Sequence, residues 1–293
     1  MKQIIIPTDF SDISRNSIIY GFRLAEKLNF RVHLVHVLEL YKFAAGTSEA
    51  ELISTILPAD NIQEMEESAK VSFKKMLDEM AKDIPAQVSY EMQVISGHLV
   101  NEMVVQSATD NTELMILAVA GSQDLISRFT HNTISAIISD AACPILVVPS
   151  GFTYRDPSKV VLATDFNKSD LNLLDSFLSL YKLFSPTIKV IHITQKQSDF
   201  KTELKFAGFK QLAIERAHYD SIDFSLQMNK NVVQGILDFL KVENADMLLM
   251  LKEHEGFFKS LFETSKTEKI AHYLKIPMIS FHETPNTKKN NSK

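Results

Sequence analysis

One short pattern occurs twice in this chain and governs what it can fold into. Thr8-Asp9-Phe10 follows the aliphatic run Ile4-Ile5-Ile6, and Thr164-Asp165-Phe166 follows Val160-Val161-Leu162, 156 positions later. Leu34-Val35-His36-Val37 returns as Val190-Ile191-His192-Ile193 at the same spacing of 156. Farther on the spacing falls to 133, where Glu113-Leu114-Met115-Ile116-Leu117 answers Asp246-Met247-Leu248-Leu249-Met250 and Cys143-Pro144 answers Ile276-Pro277. Two offsets held across several landmarks indicate a duplication. The difference, 156 less 133, gives the first copy 23 extra residues between Val37 and Glu113. The irregular stretch from Leu38 to about Asn61, with Gly46, Ser48, Ser54 and Pro58, is where they are expected.

Within each copy, aliphatic runs alternate with helical periodicity. Strands are expected in the first copy near Gln3 to Pro7, Val32 to Val37, Gln87 to Val94, Glu113 to Val119 and Pro144 to Val148. In the second they are expected near Lys159 to Ala163, Lys189 to Ile193, Asp223 to Gln227, Asp246 to Leu251 and Met278 to Phe281. Between them, Ile18, Phe22, Ala25 and Leu28, and then Met65, Ala69, Phe73 and Met76, recur at helical spacing. Near-continuous apolar strands alternating with amphipathic helices predict parallel sheets covered on both faces. The expected class is α/β, with two tandem doubly wound domains, each a five-stranded parallel sheet flanked by helices. The first domain spans 1–150, a turn-rich linker 151–157, the second domain 158–283, and a polar tail 284–293.

Composition narrows the function. A net charge of −5 offers no basic footprint for nucleic acid or anionic lipid. The opening apolar run is closed by Pro7 and is too short for a signal or a membrane span. Cys143 is the only cysteine, so neither a disulfide framework nor a thiolate zinc site is expected, and a cytoplasmic protein is. Glycine is scarce at 8 of 293 residues, which matters because backbone cradles for phosphate need it.

In an open parallel sheet, ligands bind beyond the carboxyl ends of the strands where the strand order reverses. The first copy offers Pro7-Thr8-Asp9 after its first strand, Val37 at the end of its second, and Ala118-Val119-Ala120-Gly121 after its fourth. A helix starting around His131-Asn132-Thr133 would present free N–H groups to an anion.

These residues carry a resemblance. Pro7-Thr8-Asp9-Phe10-Ser11, the His36-Val37 strand end and the final strand Cys143-Pro144-Ile145-Leu146-Val147-Val148 look like a universal stress protein domain. The likeness extends over nearly all of both copies, as in a tandem universal stress protein. It implies that ATP-binding members carry Gly-x2-Gly-x9-Gly-(Ser/Thr) between the fourth strand and the last helix. Here that motif falls on Ala118, Gly121, His131 and Asn132, keeping one glycine of three. In the second copy it falls on Leu251, His254, Thr264 and Ser265, with none. The resemblance therefore implies ATP or another adenine nucleotide in the first domain only, held by Thr8, Asp9, Val37, Ala118, Gly121, His131 and Asn132. Asn132 could cap the helix or donate to an oxygen. It also implies dimerisation through the last strand, which a tandem chain could satisfy internally as a pseudo-dimer, with further homodimerisation open.

Plainer readings stand beside these. Asp9 can simply brace the turn into the first helix. His36 and His192 suit packed, hydrogen-bonded core positions. His131 can face solvent as readily as a phosphate. Glu253, His254 and Glu255 are adjacent in a loop and lack the i, i+4 spacing of ligands on one helix face, so no metal is expected. Phe257, Phe258, Leu261 and Phe262 suit packing rather than a cofactor. No hydrolase elbow, P-loop or dinucleotide fingerprint is present, so a non-enzymatic binding or regulatory module is expected. The alternatives are a nucleotide-independent protein-interaction scaffold and a slow nucleotide hydrolase using Asp9 or His131.

Overall fold

The computed structural model describes residues 1–39, 59–119, 129–251 and 275–281. The chain divides into two compact units, Met1–Tyr154 and Arg155–Lys293.

The first unit runs β1 (Gln3–Pro7), α1 (Asp12–Leu28), β2 (Arg31–Leu38), α2 (Ala59–Met80), β3 (Tyr90–Ser96), α3 (Leu99–Ser107), β4 (Thr112–Val119), α4 (His131–Asp140) and β5 (Ile145–Pro149). Its strands pair in parallel in the order β3-β2-β1-β4-β5. The central strands are buried on both faces, which is why they read as unbroken aliphatic runs: Ile4, Ile5 and Ile6 are all inaccessible to solvent. Right-handed crossovers place α1 and α2 on one face and return α3 and α4 across the other. Consistent with this, Arg15 on α1 pairs with Glu79 on α2 at 2.5 Å, and α3 packs against α4. At Gly21 a Cβ would meet the end of the Ile6 side chain, which would have to shift to keep α1 this close upon β1.

The second unit repeats the arrangement. Its elements are β6 (Lys159–Ala163), α5 (Lys168–Tyr181) with a short 3₁₀ turn at Lys182–Phe184, β7 (Thr187–Thr194), α6 (Phe200–Ala217), β8 (Ile222–Met228), α7 (Val232–Glu243), β9 (Met247–Leu251) and β10 (Met278–Phe281). The parallel order is β8-β7-β6-β9-β10, the same path as in the first unit. Asp246 locks the foot of this sheet by accepting hydrogen bonds from Ser158 N–H, the Ser158 hydroxyl and Lys159 N–H, and by pairing with Arg155 at 2.8 Å. Burial alone would raise its pKa, but these donors and the guanidinium outweigh burial and hold it below the usual carboxylate value.

Three details depart from the sequence expectation. β3 begins at Tyr90 rather than near Gln87, because Val88 N–H closes a turn onto Pro85 before the strand starts. The stretch expected to hold the extra residues ends earlier, since helix is already present at Ala59. Residues 40–58 of it lie outside the described residues. The first residues of the expected linker also dock on the first unit. Asn16 donates to the carbonyls of Pro149 and Phe152, and Tyr154 meets Tyr20 edge-on at 4.9 Å.

His33 on β2 is buried. Burial is the main cause that lowers its pKa below 6.5, and Arg31 adds to it, against weaker opposing effects from Glu91 and Gln93. The unfolded chain then takes the proton first as pH falls below 6.5, so this residue costs no stability above that pH and progressively more below it. Urea unfolding at pH 7.5 and pH 5.5 is expected to show a smaller acid loss for His33→Leu than for the parent. Equal losses would mean that His33 is not the acid-sensitive group.

Candidate functional site

The strand order reverses between β1 and β4. Because all strands run parallel, the ends of β1 (Pro7), β2 (Val37) and β4 (Ala118) lie on one rim. Thr8 leaves β1 with its N–H donating to the Val35 carbonyl at 2.9 Å. Its buried hydroxyl lies 2.9 Å from the Ser14 hydroxyl and accepts from Phe10 N–H at 3.0 Å. Asp9 is partly exposed, and its Oδ1 accepts from both the N–H and the hydroxyl of Ser11. Ser11 in turn caps α1, accepting from Ser14 N–H. Thus Asp9 does brace the turn, and it does so at the rim.

Phe10 holds a positive φ of 63°, uncommon for a bulky residue. The strain turns its ring onto His36, with centroids 4.4 Å apart, and edge-on against Phe73 of α2 at 5.0 Å. His36 is buried and lies 2.7 Å from the Thr8 carbonyl through Nδ1. A carbonyl can only accept, so Nδ1 carries the proton and the ring pins the turn from below. His36 is therefore a hydrogen-bonded core histidine, one of the roles read from its place on an aliphatic strand.

The threonine, phenylalanine and histidine contacts of this turn recur in the second unit. Phe166 has φ 65°, its N–H donates to the Thr164 hydroxyl, and its ring lies 4.2 Å from that of His192. His192 Nδ1 is 2.7 Å from the Thr164 carbonyl and 3.5 Å from Asp165 Oδ1. The acceptor changes: the counterpart of Ser14 is Asp170, a fully buried carboxylate, and the Asn167 N–H that corresponds to Ser11 N–H donates to it rather than to Asp165. Asp170 accepts from the Thr164 hydroxyl, Asp165 N–H and Asn167 N–H at 2.7, 3.1 and 3.0 Å. A carboxyl group therefore stands at the start of α5 where the first unit has a hydroxyl.

The remaining predicted residues divide unevenly. Val37 and Ala118 are buried strand residues at the rim. Gly121 lies outside the described residues, as do His254, Glu253, Glu255 and Phe257 to Phe262. His131 opens α4, and Asn132 is exposed in its first turn. The cap is Thr130, whose hydroxyl accepts from Thr133 N–H at 3.3 Å, so Asn132 is not the capping residue. The capping oxygen must precede the helix, and Asn132 is already inside it. The first turn of α4 contains no acidic residue, whereas α1 has Asp12 and α3 has Glu102 there. Among the described residues no group of three or more His, Cys, Asp or Glu could hold a metal. Nor is any described helix long and apolar enough to cross a membrane. Ser11, Ser14, Phe10 and Phe73 were not singled out as site residues from sequence. The recurrence of Phe10 and His36 at one offset was the available signal for that pair.

Comparison with known proteins bears on the same region. The universal stress protein family model matches residues 1–149. A universal stress protein of Methanocaldococcus jannaschii is 28% identical over 149 residues, half of this chain and 81% of that protein. A universal stress protein from Archaeoglobus fulgidus has the same fold along 95% of both chains, with a TM-score of 0.66 at 16% identity. The cytoplasmic domain of a prokaryotic cation chloride cotransporter is also similar in fold, with a TM-score of 0.50 at 10% identity over 95% of this chain and 94% of that one.

Proposed function

The chain belongs to the universal stress protein family, and from that premise we propose that it is a tandem, non-enzymatic stress-response module that binds an adenine nucleotide weakly in its first unit only. The observation that carries this reading is the contrast between the two rims. In the first unit the turn after β1 is closed by the Thr8 and Ser14 hydroxyls together with the partly exposed Asp9 carboxylate, and the helix that follows β4 starts without an acidic residue. The N–H groups of its first turn and its positive dipole end favour an anion such as a phosphate. In the second unit Asp170 places a buried carboxylate at the matching turn, and Leu251 stands where the family motif has its first glycine. The binding is weak because only Gly121 remains of the three glycines. Protein partners would respond to occupancy.

Calorimetry of the full chain with ATP, ADP and AMP is expected to saturate at one nucleotide per chain. Asp9→Ala should weaken binding at least about tenfold, roughly 1.4 kcal/mol, while Asp165→Ala leaves it unchanged. No heat at millimolar ligand with a folded sample would leave the nucleotide-independent scaffold as the reading. The commitment of Asp9 to Ser11 is the observation on that side.

The same premise extends to assembly. β5 and β10 each end the strand order of their own unit, and an apolar edge is a liability unless paired. We propose that the two edges pair within one chain as a pseudo-dimer. Cross-links joining β5 to β10 inside single chains are expected, and cross-links formed only between chains would contradict the proposal.

A further inference from the structure

α6 has two apolar faces, and only one of them is used. Phe206, Phe209 and Ala213 face the second unit's sheet, where Phe206 and Phe209 meet the Phe166 ring, each with centroids 5.9 Å apart. On the opposite side Phe200, Leu204 and Leu212 are 80%, 62% and 50% exposed, and Ile214 is exposed at the margin. A surface helix normally shows one apolar stripe and one polar one. Gly208 stands in the middle of the exposed side, and a Cβ built there would meet nothing within 4 Å. Glycine is a poor helix residue, and no contact among the described residues explains it at this position. It does allow another backbone to approach closely.

The charges on this face identify what would approach. Lys201 lies in the first turn of α6 and Glu215 near its end, each placed against the helix dipole. Lys201, Leu204, Gly208, Leu212 and Glu215 follow the 3-4-4-3 spacing of a seam between two helices. The series is also self-complementary. An antiparallel copy centred on Gly208 sets Leu204 against Leu212 and Lys201 against Glu215, twice over by symmetry. Each misplaced charge then meets both an opposite charge and the favourable dipole end of the other helix.

We propose that this outer face of α6 is a self-association surface, on which a second copy of the chain docks its own α6 antiparallel about Gly208. The contact is independent of nucleotide and of the rim. A single helix pair falls at the small end of specific interfaces, below about 1,200 Å² in total. The dimer is accordingly a weak one that forms at tens to hundreds of micromolar protein.

Sedimentation equilibrium of the full chain tests this. The parent is expected to dimerise across that range, Leu204→Glu to weaken association at least tenfold, and Lys201→Glu to weaken it several-fold. Combining Lys201→Glu with Glu215→Lys should restore it, which a merely structural effect of either change would not do. Gly208→Cys should give a disulfide-linked dimer under mild oxidation, since position 208 faces itself across the axis, while Val242→Cys on α7 should not. A parent that stays monomeric at several hundred micromolar would overturn the proposal. So would a Leu204→Glu variant that dimerises as the parent does, or a charge-exchanged double variant no better than Lys201→Glu.

Discussion

Asp170→Ala is expected to destabilise the second unit by about 3–4 kcal/mol, a large share of the roughly 5–15 kcal/mol that holds a domain folded. The carboxylate is fully buried and accepts from a buried hydroxyl and two part-buried backbone N–H groups, all of which would lose this acceptor. It also lies in the first turn of α5, where a negative charge is favoured by the helix dipole. Urea unfolding followed by a signal from the second unit measures the loss. Asp170→Ser offers the informative contrast, because Ser14 fills the same place in the first unit. It should recover a substantial part of the stability, since a hydroxyl can still meet Thr164. If Asp170→Ala unfolds with the parent, the hydrogen bonds at this turn carry little of the unit's stability and the contrast between the two rims is weaker than argued.

Phe73→Ala is the counterpart in the first unit, at about 3–5 kcal/mol. Its ring is inaccessible to solvent on α2 and fills the space between that helix and the strained turn. Truncation leaves a cavity beside Phe10, whose positive φ persists only while its ring is held from both sides by His36 and Phe73. A loss of unfolding free energy in that range is expected, accompanied by weaker nucleotide binding even though residue 73 lies beneath the rim and not on it. A stability loss with unaltered binding would separate the Phe10 strut from the site.

How far the chain could be read in advance depends on which physical signal each part carries. β1, β6 and β10 begin and end where the aliphatic runs do, because strands buried on both faces tolerate little else. β3 was misplaced at its start because it is an edge strand with exposed residues on both faces, so its pattern merges with the turn before it. The repeat foretold that His36 and His192 would share a role, and both donate to the carbonyl of the threonine after the first strand. It could not foretell the left-handed Phe10 and Phe166, since the rings packed on them, His36 and Phe73 in one unit and His192, Phe206 and Phe209 in the other, are distant in sequence. The exchange of Ser14 for Asp170 was present in the alignment of the copies but resembled an ordinary acidic residue in a helix's first turn. Burial, which sequence does not show, makes it distinctive. The cap of α4 fell to Thr130 rather than Asn132 because the helix starts two residues earlier than an Asn132 cap requires.

The most direct test of the central claim, two copies of one fold and one surviving site, is amide hydrogen exchange on the intact chain with and without millimolar ATP. Slower exchange is expected in peptides covering Thr8 to Ser14 and Thr130 to Ile137, with no change across Thr164 to Asp170. Unchanged exchange at both turns, or protection at the second unit's turn, would contradict it.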